Sequence, residues 1–239
     1  MRYGFAAIAA AGLWLGLFAA APVRCQTAAA ASDQAARATG RASFSGQAAS
    51  RDARRVADWV VASGDNAGMP FVIIDKVEAK VFVFDTHGQL SGAAPALVGL
   101  TPGDDIVAGI GDRPLAAIGP KDRITPAGRF VASLGRDLGE KDVLWVDYRA
   151  GVALHRVITT NPKEHRLQRL AAASPLKHRI SYGCINVPAA FYDAVIDPAF
   201  AKTSGVVYIL PETKPIEAVF AGYAAAAPPR LQVASQTSR

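Results

Sequence analysis

From Phe71 onward the chain breaks into short apolar runs with the two-residue period of β-strands, and this constrains its fold more than any other feature. Phe71 to Asp75 and Lys80 to Phe84 come first, close enough to pair antiparallel, followed by a turn at Gly88 and a run from Pro95 to Gly99. Further runs occupy Leu115 to Ile118, Gly128 to Leu134, Val143 to Tyr148, Val152 to Leu154 and Val206 to Leu210, with Gly, Pro and Asp turns between them. The pattern predicts a mainly β fold: an antiparallel β-sandwich or barrel-like sheet with a few short helices. Two helical intervals are expected within it, Lys163 to Ala173 and Pro188 to Ile196, the second with proline in a favourable first turn.

The residues ahead of the strands divide into an export signal, a linker and a helix. Met1 to Tyr3 carry one positive charge and lead into the nearly uncharged run Phe5 to Ala21, the pattern of a secretory signal over residues 1–25. Pro22 disfavours cleavage after Ala21, so the cut is expected between Cys25 and Ala31. Arg24 makes Cys25 a poor lipid-attachment site. Residues 26–65 read as an Ala, Ser, Gln and Gly linker followed by an amphipathic helix. Ser50 caps that helix, Ala53, Val56, Ala57, Trp59 and Val60 form its apolar face, and Gly64 to Gly68 end it. The folded unit is expected over 66–214, with 215–239 a disordered tail. Export places the chain in the periplasm or cell envelope.

Charge narrows the partners. The 239 residues hold 26 Lys+Arg against 20 Asp+Glu, a net charge of +6 that suits an anionic polymer or surface. Export, and basic residues that do not interleave with an aromatic platform, argue against nucleic acid. Four dispersed histidines and one cysteine in the mature chain lack metal-ligand spacing, and no glycine-rich phosphate loop occurs, so neither metal nor cofactor is expected.

That one cysteine, Cys184, sits in Ser181-Tyr-Gly-Cys-Ile-Asn186, just ahead of the helix expected to open at Pro188. A helix N-terminus favours a thiolate, and Gly183 permits close approach of backbone N–H groups to a developing oxyanion. Ser181, Tyr182, Gly183 and Asn186 are the candidate supports. His155, at the tip of an apolar run, is the preferred base, with His178 and His165 as alternatives, while His87 lies in a hairpin turn. A lone cysteine is otherwise an inert core thiol.

These residues resemble the L,D-transpeptidase catalytic domain, or YkuD-type, family. Ser181-Tyr-Gly-Cys-Ile-Asn186 is similar to its Ser-His-Gly-Cys signature, with Tyr182 in place of the histidine. Ile73 to Asp85 resembles the family's opening hairpin, and Thr125-Pro-Ala-Gly-Arg-Phe130 its Thr-Pro-x-Gly-x-Phe element. The resemblance implies acyl transfer on peptidoglycan stem peptides. Cys184 would be the nucleophile and His155 the base, with Arg179 and His178 as weaker candidates for holding a stem carboxylate. The acceptor would be a second stem, a wall-linked protein or water, and water would make the chain a hydrolase of stem peptides. A non-catalytic wall-binding module is the alternative from another class.

Overall fold

The computed structural model describes residues 40–137, 139 and 142–226. The expected signal, its cleavage site and the first part of the linker lie outside the described residues, as does the chain from 227. No helix among the described residues is long and apolar enough to cross a membrane.

Among the described residues ten strands carry the fold: β1 Phe71–Asp75, β2 Lys80–Phe84, β3 Leu90–Pro95, β4 Val98–Gly99, β5 Gly128–Arg136, β6 Asp142–Asp147, β7 Val152–Arg156, β8 Arg179–Ser181, β9 Ile185–Val187 and β10 Gly205–Ile209. Eight form one sheet in the order β3-β2-β1-β10-β5-β6-β7-β9, and β4 pairs with β8. The outer strand β9 exchanges two hydrogen bonds with Leu97, between β3 and β4, so the sheet bends round into a nearly closed barrel.

The sheet is mixed rather than purely antiparallel: β1 runs parallel to β10, and β7 parallel to β9. Parallel neighbours need long crossovers. Here the chain from β2 to the helices after β9 supplies one, and the excursion of residues 157–184 supplies the other. No local period announces such pairings.

Two apolar clusters lie on opposite faces of the sheet. Val72, Ile74, Val81, Val83, Leu154, Ile185 and Val207 point into the barrel, where Tyr192, Ile196 and Phe200 plug it. Phe71, Ile73, Phe82, Phe84, Val206 and Tyr208 point outward. Strands buried on both faces read as continuous apolar runs, as β1 and β10 do.

The outward face is covered by helix α1, Arg51–Ser63, whose Ala53, Val56, Ala57, Trp59 and Val60 are all buried on it. Ser50 accepts a hydrogen bond from the Ala53 N–H as the expected cap, and Gly64 closes the helix at φ 69°. Phe44, in the expected linker, is buried edge-on against Phe82 and Phe84.

Several expectations are corrected. Within the first part of the expected tail, helices over Ile216–Val219 and Ala221–Ala226 bring Phe220 and Tyr223 against Trp59. The folded unit therefore reaches outside 66–214 at both ends, because the outer face of β1, β2 and β10 needs covering. Leu115–Ala117 is a 3-10 turn instead of a strand, for it has no neighbour to pair with and Leu115 is exposed. The helix expected over Lys163 to Ala173 is broken. A 3-10 turn, Pro162–Glu164, ends at His165 with φ 50°, and only Arg166–Leu170 (α2) is α-helical. The last interval extends farther than expected: Ala189–Phe191 (α3) continues through a π turn, Tyr192–Ile196, into Asp197–Phe200 (α4).

Candidate active site

The turn between β8 and β9 carries Cys184, and its shape is set by a backbone thread. The backbone of residues 123–125 passes between Gly99 and Gly183. A Cβ on Gly99 would meet Arg123 O at 2.6 Å, and one on Gly183 would meet Ile124 O at 2.8 Å. Gly183 also has φ 134°, open to glycine alone. Thr125, fully buried, stitches the thread on both sides: its Oγ1 accepts from the Gly99 N–H at 2.8 Å and donates to the Gly183 carbonyl at 2.8 Å.

Ser181 closes the turn from inside. Its Oγ donates to the Cys184 carbonyl at 2.6 Å and accepts from the Gly183 N–H at 3.1 Å. Asn186, buried, donates from Nδ2 to the same carbonyl at 3.3 Å. Ser181 and Asn186 thus hold the cysteine's backbone, and the Gly183 N–H is committed to Ser181.

Cys184 does not stand at a helix N-terminus. Strand β9 intervenes, and three extended residues span roughly 10 Å, beyond the first-turn reach of a helix dipole. Burial pushes the Cys184 thiol above its ordinary value, offset in part by the Ala153 N–H and the Arg166 charge. The thiol lies 3.5 Å from the Gly151 carbonyl, its acceptor. It lines a narrow cavity of about 110 Å³ with Tyr182, Gly151 and Val152 on one side and Ile106, Arg113 and Ile118 of the 103–124 loop on the other. The Arg123 guanidinium lies 3.9 Å over the Tyr182 ring and fastens that loop to the motif.

His155 is on β7, paired with Asn186 while Leu154 pairs with Ile185. Leu154 and Ile185 face the core, so His155 and Asn186 share the other face. Cys184 immediately precedes Ile185, at the end of the turn that leads into β9. The imidazole Nδ1 lies 2.7 Å from the Arg156 carbonyl. A carbonyl only accepts, so Nδ1 carries the proton and Nε2 is the basic nitrogen. His155 lines a second cavity, of about 490 Å³, with Asp137, Asp142, Arg156 and Thr160.

The other candidates lie elsewhere. His178 is buried, with Nδ1 and Nε2 each 3.0 Å from a carbonyl, those of Ala96 and Ala172. His165 is exposed at the start of α2. Arg179 faces inward: it pairs with Glu212 and donates to the Gly99 carbonyl at 3.2 Å, which withdraws it from any ligand.

Glu212 belongs to a buried ionic cluster with Lys76 and Asp104. Lys76 Nζ donates to Asp104 Oδ1 at 2.7 Å and to the Thr125 carbonyl at 2.9 Å. Burial would raise the Asp104 carboxyl, but Lys76, Thr213 and the N–H groups of Glu212 and Thr213 outweigh it and hold it well below the usual carboxylate range. The cluster anchors the Thr125 thread to β1 and to the segment after β10.

Arg166 escaped the sequence reading. Its Nη1 donates to Asn186 Oδ1 at 2.6 Å, and its Nε to Glu164 Oε2 at 2.6 Å. One arginine among 26 basic residues has no periodicity to mark it.

No protein-family model matches the chain, and no curated protein does. Solved structures similar to it include the catalytic domain of the Enterococcus faecium L,D-transpeptidase, at 16% identity and TM-score 0.34, covering 59% of this chain and 95% of that one. An L,D-transpeptidase from Mycobacterium tuberculosis H37Rv matches at 15% identity and TM-score 0.36, over 59% of this chain and 57% of that one. The helical cell shape determining protein Pgp2 from Campylobacter jejuni matches at 12% identity and TM-score 0.40, over 61% of this chain and 49% of that one. The chain thus spans about half the length of the last two.

Proposed function

We propose that this chain is an exported cysteine acyltransferase acting on peptidoglycan stem peptides. The observation that carries the reading is the pairing of β7 with β9. It pairs His155 with Asn186, two residues beyond Cys184, which supports a reading in which the thiol on its locked turn works with the Nε2 of that imidazole.

In this reading His155 Nε2 takes the thiol proton as sulfur attacks a stem-peptide carbonyl beside the diamino acid. The proton then passes to the departing amine of the terminal residue, leaving a thioester on Cys184. Burial raises the thiol, and transfer of its proton to His155 accompanies the attack. The Gly183 N–H is engaged by Ser181, and Tyr182, which lines the same cavity as Cys184, is the candidate support for the oxyanion. The acyl donor enters beside Cys184. The larger cavity at His155, with Asp137 and Asp142 on its wall, suits an ammonium-bearing acceptor, and transfer to it gives a cross-link. Water in its place gives a shortened stem.

Intact-mass spectrometry with a tetrapeptide-stem muropeptide tests the reading. The expected result is an acyl adduct absent from Cys184→Ala, strongly reduced in His155→Ala, and resolving to a larger muropeptide. Resolution to a shortened stem moves the assignment to a hydrolase. No adduct, with wall binding unchanged in Cys184→Ala, leaves a binding module whose thiol is inert.

A further inference from the structure

We propose that Arg166 is a positioning residue for Cys184: it orients Asn186, whose carboxamide holds the cysteine's carbonyl, and it keeps a fixed positive charge behind the nucleophile's turn.

The geometry forms one chain. Arg166 Nη1 donates to Asn186 Oδ1 at 2.6 Å, which directs Asn186 Nδ2 toward the Cys184 carbonyl at 3.3 Å. Without the guanidinium the carboxamide could turn over and lose that contact. The Arg166 side chain is only 11% exposed, and Asn186 is 1% exposed, so solvent screens little of this arrangement. Glu164 Oε2 fixes the other edge of the guanidinium at 2.6 Å.

The local backbone supports delivery of this side chain. The 3-10 turn Pro162–Glu164 ends at His165 in the left-handed region, φ 50°, so the chain reverses and α2 begins at Arg166. Such a φ is uncommon outside glycine and needs support from the surrounding structure. The excursion between β7 and β9 thereby carries a cation back onto the strand pair it connects.

Other charges approach Cys184 from elsewhere. Asp105, Arg113 and Asp122 line its cavity from the 103–124 loop, and Arg123 stacks on Tyr182. His155 stands on β7 and Glu164 beside Arg166. Of the cations, Arg166 is the one that eases the burial penalty on the thiolate. Tyr182, where the family signature has histidine, brings no cation of its own.

The inference rests on Cys184 being the reactive thiol of the proposed function, but its test needs no peptidoglycan. Iodoacetamide alkylation of the full-length protein is followed against pH, with Cys184 resolved from Cys25 by peptide mass. Arg166→Gln is expected to slow Cys184 alkylation near neutral pH by about threefold to tenfold and to move the profile to higher pH, since tenfold in thiolate corresponds to one pH unit. Arg166→Lys, which keeps the charge, restores most of the rate. Glu164→Gln removes the counter-charge and moves the profile the opposite way, which keeps the test decisive if Arg166→Gln does not fold. Profiles of folded Arg166→Gln or Glu164→Gln that superimpose on the parent overturn the role. Normal alkylation with no muropeptide adduct overturns the acyl-transfer reading instead and leaves Arg166 in place.

Discussion

At the residue scale, the candidate site depends on buried side chains that brace the cysteine turn from behind. Thr125 joins Gly99 to Gly183 through one hydroxyl, so Thr125→Val leaves a buried N–H and a buried carbonyl without that partner. The expected loss is about 1–3 kcal/mol for each unsatisfied group, read as a lower denaturant midpoint, with muropeptide turnover falling further than stability. Gly183→Ala forces a Cβ onto Ile124 O and a strained φ, and is expected to cost at least as much. Asp104 sets the acid limit. Its carboxyl is held below its ordinary value in the fold, so it adds stability above the unfolded value of about 3.9 and loses that contribution as pH falls through the folded value. Thermal midpoints are therefore expected to drop below about pH 4. Asp104→Asn should flatten that acid limb while lowering stability at neutral pH by about 3–5 kcal/mol, because Lys76 would remain buried without its closest carboxylate.

At the element scale, strands were more legible than the pieces between them. The double-sided apolar runs Phe71 to Asp75 and Val206 to Leu210 declare themselves in sequence, as does the amphipathic face of α1. Strand β9 does not. Ile185 to Val187 is too short to show a period, and its neighbour Pro188 suggests a helix start, so the cysteine was expected at a helix end and stands instead at a strand start. Short elements are fixed by their partners, here β7 and Leu97. The covering helices carry the next prediction. Trp59 packs against Tyr208, Phe220 and Tyr223, and Trp59→Ala is expected to cost about 3–5 kcal/mol. A fragment restricted to residues 64–214 loses both helical covers of β1, β2 and β10. It is expected to bind hydrophobic dye and unfold without a sharp transition, whereas residues 40–226 should unfold cooperatively.

At the scale of the whole molecule, the two parallel ladders of the eight-stranded sheet organise it. β1 meets β10 with Phe71 beside Val206, so the centre of the sheet forms only when both ends of the folded unit come together. Such long-range pairing is slow to form, and refolding after denaturant dilution is expected in milliseconds to seconds rather than microseconds. By itself the sequence determined the long apolar strands and the capped amphipathic helix, because period and capping are local properties of the chain. Tertiary structure alone decided the mixed sheet, the helices of 216–226 against its outer face and the fates of the charged side chains. Arg179 and His178 have nothing in their neighbours to mark them as buried, and Arg166 nothing to mark it as bound to Asn186. Those outcomes depend on which distant backbone a side chain meets, and that is fixed only when the barrel bends nearly closed through Leu97 and Asn186.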